Sequence, residues 1–240
     1  MRDEEQGTVL RIHTDYKRYY PLQPYDTNTD ETKTGSGFLL RVDNCVYIVT
    51  AHHVVSNAVR ISAMTPDHME GEACKLMMIG HNPHLDMAVL TGPEALMRLP
   101  CFRRGGTSKL RLGDGISVMG HGSGTLRIHH TRGGISGRRG YPHNRWQTDA
   151  VVHSGNSGGP AIDNLTGTVL GIITSGEAKV QSRNYFVGIE EVLLALKRIL
   201  ISPSHVDLGY QFDALFTPVD SRVCGDNLPG GALVVGALEG

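Results

Sequence analysis

From Gly35 onward the chain is written in short apolar runs, each closed by Gly, Asn, Asp or Pro. Phe38-Leu39-Leu40, Val46-Tyr47-Ile48-Val49, Met87-Ala88-Val89-Leu90, Ile116-Ser117-Val118-Met119 and Val169-Leu170-Gly171-Ile172-Ile173 are the clearest. Runs this short, β-rich and separated by turn residues, predict an all-β barrel or sandwich rather than alternating βαβ units. Turn formers are plentiful enough for such a fold, with 30 Gly and 11 Pro in 240 residues. One helix stands out, Glu190 to Leu200, where Val192, Leu193, Leu196, Ile199 and Leu200 keep helical spacing. Glu190 and Glu191 suit the positive end of its dipole, and Pro203 marks a stop. No repeat recurs at a fixed period.

Charge narrows the functional classes. With 23 Lys+Arg against 24 Asp+Glu the net charge is -1, so the basic surplus of a dedicated nucleic-acid binder is missing. No stretch approaches the ~18 apolar residues of a membrane-spanning helix. The opening Met1-Arg2-Asp3-Glu4-Glu5-Gln6 is acidic and polar where a secretory signal is basic and then apolar, which predicts a cytoplasmic location. Residues 1–33 contain Tyr16, Tyr19, Tyr20 and Tyr25 and then a Thr/Asp/Asn stretch, which together predict an extension and linker. Cys45, Cys74, Cys101 and Cys224 lack CxxC spacing and are expected to be reduced, mostly packed thiols. His81-x-x-His84 and His129-His130 invite a zinc reading, but neither comes with an ordered ligand set. No metal or cofactor is expected.

The most specific segment is Gly155-Asn156-Ser157-Gly158-Gly159-Pro160. A serine hydroxyl attacks a carbonyl only when a base takes its proton and amide donors stabilise the oxyanion. Glycines around Ser157 permit a sharp turn in which the amides of Gly155 and Ser157 point at one spot. Taken alone, the segment also reads as a Gly-rich surface turn. Thr50-Ala51-His52-His53-Val54-Val55 follows a strand-like run and offers two histidines as the base, of which only one can face a given cleft. Asp86, at the head of an apolar strand, is either the carboxylate that orients an imidazole or a turn former.

Together these segments resemble the trypsin/chymotrypsin-fold serine proteases, and specifically their HtrA/Deg branch. Gly35-Ser36-Gly37-Phe38 is similar to the family's GSGF strand opening, and Thr50-Ala51-His52-His53-Val54-Val55 to its TxxHVV motif, which selects His53 as base. Leu85-Asp86-Met87-Ala88-Val89-Leu90 resembles the DLAVL segment and carries over Asp86. Gly113-Asp114-Gly115-Ile116-Ser117-Val118-Met119-Gly120 resembles the opening of the second barrel. Gln147-Thr148-Asp149-Ala150 with Gly155–Pro160 resembles the QTDA…GNSGGP block and carries over Ser157 as nucleophile. The matches run in family order over residues 34 to 200.

The resemblance implies two packed six-stranded antiparallel β-barrels, at residues 34–112 and 113–190, followed by the helix at 190–200. It implies a serine endopeptidase acting on unfolded or extended polypeptide, with Gly155 and Ser157 forming the oxyanion hole. Thr174, Ser175 and Gly176 would pair with substrate as a strand, and the Thr174 hydroxyl would help hold Asp86. Val151 would floor the P1 pocket; with no carboxylate there, and Ile173 where Glu-specific relatives carry His, a small to medium apolar P1 is expected. Asn156 stands where secreted digestive relatives carry the Asp that pairs with a zymogen-derived N-terminus, which implies no such activation. Arg127, Arg132, Arg138, Arg139 and Arg145, in a segment without acids, read as a solvated hairpin, or as a patch that steers acidic substrates or senses a regulator. Residues 203–240 resemble the start of a PDZ domain at Leu208-Gly209-Tyr210 and Gly231-Ala232-Leu233-Val234-Val235. The N-terminal tyrosines would pack between subunits of a homotrimer, as aromatics do in family trimers. The rival function is a protease-fold chaperone or peptide-binding scaffold whose site never assembles.

Overall fold

A computed structural model describes residues 7–17, 30–64, 73–139, 145–176 and 183–201, with two short strands at 216–218 and 232–234. The first barrel is built from β1 (Val9–Lys17), β2 (Asp30–Val42), β3 (Cys45–Ala51), β4 (Ala58–Met64), β5 (Cys74–Asn82) and β6 (Met87–Thr91), closed in the order β1-β2-β3-β6-β5-β4. A helical turn, α1 (His52–Val55), follows β3, and α2 (Glu94–Met97) follows β6. The second barrel contains β7 (Gly115–Gly120), β8 (His129–Arg139), β9 (Arg145–Thr148), β10 (Pro160–Asp163), β11 (Val169–Gly176) and β12 (Asn184–Gly188), closed as β10-β11-β12-β9-β8-β7. Helix α3 (Ile189–Ile201) follows.

The apolar runs are continuous, not alternating, because both faces of their strands are buried. Leu39, Ile48, Ala88 and Leu90 fill the first barrel with Leu10, Ile12 and Leu76. Ile116, Ile135, Trp146, Ala161, Ile173 and Phe186 fill the second. The residues between them in sequence, Phe38, Leu40, Val49, Val89, Ile172 and Val187, face outward into a third core. There they meet Ile189, Val192, Leu196 and Ile199 of α3, so the barrels share a seam that the helix helps to cover. Glu191 accepts a bond from the Gly188 amide at the start of α3 (3.1 Å), and Glu190 takes the amide and hydroxyl of Thr107 (2.6 and 2.7 Å), which ties the helix to the segment between the barrels.

Residues 9–17, expected to be an extension, are instead the first strand of the barrel. β1 pairs with β2 from Val9↔Phe38 to Lys17↔Asp30, and with β4 on its other side. Leu10, Ile12, Thr14 and Tyr16 point inward in strict alternation. Thr14 is wholly buried, its hydroxyl bonded to the Val54 carbonyl at 3.1 Å and to the Tyr16 hydroxyl at 3.1 Å. Tyr16 is thereby committed to its own barrel rather than to a neighbouring subunit, while Tyr19, Tyr20 and Tyr25 lie outside the described residues.

Cys45, Cys74 and Cys101 are free thiols, Cys45 exposed and the other two half-buried, so they are less packed than expected. Cys224 lies outside the described residues. Among the described residues no helix is long and apolar enough to cross a membrane. A separate unit, from Gly209, contains β13 (Phe216–Pro218) paired antiparallel with β14 (Ala232–Val234). Of the positions that resemble a PDZ domain, Leu208-Gly209-Tyr210, Gly231 and Val235 lie outside the described residues.

Candidate active site

His53 and Asp86 come together across the end of the first barrel. His53 Nδ1 lies 2.7 Å from one Asp86 carboxylate oxygen, and the His53 amide donates to the other at 2.8 Å. Asp86 sits at φ +56, held by a bond from its amide to the Pro83 carbonyl at 3.2 Å and by the His52 amide on its own carbonyl at 3.0 Å. Its side chain is 16% exposed against 49% for His53, so the carboxylate is largely shielded while the ring faces solvent. This bond fixes the Nδ1 proton and leaves Nε2 as the acceptor. His52 goes elsewhere. Both residues lie on a helical turn rather than an extended segment, and the His52 ring stacks on His81 of β5 at 4.5 Å and 12°. Burial and the neighbouring His81 push His52 below the usual imidazole range, and burial does the same to His81.

Ser157 is carried by the turn before β10 and shares a cleft of about 410 Å³ with His53, walled by Thr32, Lys33, Ser123 and Gly155. Its hydroxyl donates to the Thr174 carbonyl at 3.2 Å. Gly155 adopts φ +95, and a β-carbon there would stand 2.3 Å from the His121 carbonyl oxygen. The Ser154 carbonyl accepts from the Ser123 amide, and the Gly155 carbonyl accepts from Ser36 Oγ at 2.6 Å. With both carbonyls held, the amides of Gly155 and Ser157 donate to no acceptor among the described residues. They are available as oxyanion donors.

The sequence alone did not point to Ser36. From β2 of the first barrel its hydroxyl donates to Gly155, accepts from the His121 amide at 2.8 Å, and its own amide donates to the Ser157 carbonyl at 2.8 Å. Thr50 Oγ1 in turn donates to the Ser36 carbonyl at 2.7 Å. One first-barrel residue therefore clamps the second-barrel loop that carries Ser157. Asn156 is wholly buried, and among the described residues neither of its side-chain polar atoms has a partner.

The expected substrate-binding residues are placed as follows. The Thr174 hydroxyl accepts from Arg145 Nη1 at 2.7 Å and donates toward the Tyr185 carbonyl at 3.5 Å, and among the described residues it makes no hydrogen bond to Asp86. Val151 is 48% exposed, its carbonyl bonded by Thr131 Oγ1 at 2.7 Å. Ser175 and Gly176 end β11, with Gly176 opposite Asn184, and residues 177–182 beyond them lie outside the described residues.

The two-barrel fold with a Ser157–His53 cleft at its seam is that of the trypsin-like peptidases, and the family model for the trypsin-like peptidase domain matches residues 35–172. The chain belongs to that family. It is similar to the probable periplasmic serine endoprotease DegP-like of Chlamydia muridarum, 32% identical over 224 residues, covering 87% of this chain and 42% of the relative. The protein of that name from Brucella suis is 34% identical over 167 residues, covering 68% of this chain and 31% of the relative. The chain thus spans less than half the length of these relatives. Among solved structures, the HtrA-type protease AlgW with tripeptide superposes with a TM-score of 0.67 at 24% identity, over 82% of this chain and 61% of that one. The Rv3671c protease from M. tuberculosis gives 0.65 at 21%, over 81% and 82%. These likenesses show the two-barrel fold. The cytoplasmic location expected from residues 1–6 is overturned, because these relatives are named periplasmic.

Proposed function

We propose that this chain is a serine endopeptidase cutting unfolded or extended polypeptide in a periplasmic setting, through a triad of His53, Asp86 and Ser157. The observation that carries it is the pairing of His53 Nδ1 with Asp86 at 2.7 Å on the wall of the cleft that Ser157 enters. The Ser157 hydroxyl exchanges the Thr174 carbonyl for His53 Nε2 and attacks the scissile carbonyl as His53 takes its proton. The Gly155 and Ser157 amides receive the oxyanion, each such donor being worth ~3–4 kcal/mol. His53 then protonates the leaving amine, and water, activated by the same imidazole, releases the acyl group. Asp86 keeps the proton on Nδ1 and stabilises the imidazolium.

A fluorophosphonate probe tests this. The chain is expected to be labelled at Ser157 and nowhere else; an unlabelled, folded chain instead supports the chaperone or peptide-binding scaffold. For specificity, β11 at Thr174–Gly176 offers an edge for an extended substrate, and neither Val151 nor Ile173 supplies a charge for a basic or acidic P1. A P1 peptide library should favour small to medium apolar residues; preference for Arg, Lys or Glu removes Val151 and Ile173 from the pocket.

A further inference from the structure

Four arginines of the segment that reads as a solvated hairpin, Arg127, Arg132, Arg138 and Arg139, are exposed. Arg145 is not. Half-buried at the head of β9, it directs Nη1 to Thr174 Oγ1 at 2.7 Å and Nη2 to the His84 carbonyl at 3.2 Å. The two acceptors belong to different barrels. Thr174 is on β11 and its carbonyl takes the Ser157 hydroxyl, while His84 lies two residues before Asp86 on the turn from β5 to β6. One guanidinium therefore spans the seam directly behind the proposed reacting groups.

We propose that Arg145 is a positioning residue for His53: it fastens the Asp86 turn against β11 and sets a fixed positive charge near the Asp86 carboxylate that holds the His53 ring. Its consequence for catalysis rests on the endopeptidase reading; its physical content does not. A planar fork with two separated acceptors fixes geometry as a lysine cannot. Burial pushes the guanidinium down from its ordinary range and Arg139, opposite on β8, pushes it further, while Asp86 pulls it back up. The guanidinium thus stays close enough to Asp86 to feel its charge, which sets a cation beside the carboxylate that His53 binds. The other groups around the pair are His52 beside it, His81 on β5, His84 on the turn and Lys33 on β2. Burial favours neutral His52 and His81, and Lys33 Nζ sits over the Tyr16 ring at 4.3 Å.

The test is the titration of His53, followed by ¹⁵N NMR in a Ser157→Ala background, in the parent, Arg145→Met and Arg145→Lys. Removing the cation stabilises the imidazolium, so Arg145→Met is expected to raise the His53 midpoint by ~0.5–1 pH unit. Arg145→Lys keeps the charge and should hold the midpoint within ~0.2 unit. With Ser157 restored, Arg145→Lys should still lose kcat ~10-fold, because the fork that locates the Asp86 turn is gone. A folded Arg145→Met protein with an unmoved His53 midpoint overturns the proposal; should that variant not fold, Arg145→Gln decides it by the same criterion. A midpoint that rises in a protein no fluorophosphonate labels keeps Arg145 in this role and defeats the peptidase reading. A labelled protein whose midpoint stays put does the reverse.

Discussion

Replacing Ser157 with alanine is expected to lower hydrolysis of an extended peptide by ~10⁵-fold or more while leaving the fold and the affinity for that peptide nearly unchanged. The asymmetry follows from the surroundings of the hydroxyl. Among the described residues its one hydrogen bond runs to the Thr174 carbonyl at 3.2 Å, on the wall of a cleft open to water. Losing that bond costs at most ~1 kcal/mol of stability, since water can replace the donor. Losing the nucleophile removes the acyl-enzyme altogether, and what remains is the ~10³-fold contribution of oxyanion donors and substrate binding. The comparison requires kcat on a quenched fluorescent peptide, Tm by calorimetry and Kd by anisotropy on the same preparations. Activity above a tenth of the parent's would move the nucleophile to another residue.

The second large effect is structural. Gly158→Ala is expected to cost ~3 kcal/mol or more and to abolish fluorophosphonate labelling. Gly158 has φ +85, and a β-carbon there would lie 2.1 Å from the Ser36 carbonyl oxygen, 2.3 Å from Thr50 Oγ1 and 2.7 Å from the Ala51 amide nitrogen. Two of those three atoms are backbone, and the third is itself bonded to Ser36, so nothing flexible can yield. The Gly158 amide also donates to the Ile173 carbonyl at 2.7 Å, which pins the residue from the other side. Gly137 on β8 provides the control: a β-carbon there comes no nearer than 3.4 Å to a neighbour, and Gly137→Ala should stay within ~1 kcal/mol. Urea denaturation with matched m-values measures both. Equal midpoints for the two variants would mean that the loop carrying Ser157 can leave the first barrel without cost.

What could be read from the sequence was what depends on near neighbours. Val46–Val49 and Met87–Leu90 announce strands because two-sided burial demands apolar residues at every position. Gly155 and Gly158 signal a strained turn because no other residue adopts its φ cheaply. The choice of His53 over His52 came from a motif; in the structure one ring meets Asp86 and the other stacks on His81. β1 was missed because Thr14 fills a core position with a hydroxyl that finds its acceptor 40 residues away in sequence, at Val54. Arg145 looked like surface for the same reason, its partners being His84 and Thr174. In each miss a polar side chain is satisfied across the fold, and no local pattern encodes that.

The Ser36 contacts carry a consequence for the order in which the proposed site is put together. Imidazole and carboxylate are brought together within the half that emerges first, and the loop bearing the hydroxyl is held from two sides, by Ile173 of its own half and by a strand of the first half that reaches across to it. On the proposed triad, a nascent or half-denatured copy holds all three groups in its covalent structure with that second hold missing. On the same proposal, separating the halves is expected to remove reactivity toward the fluorophosphonate ahead of any loss of strand signal during gentle denaturation.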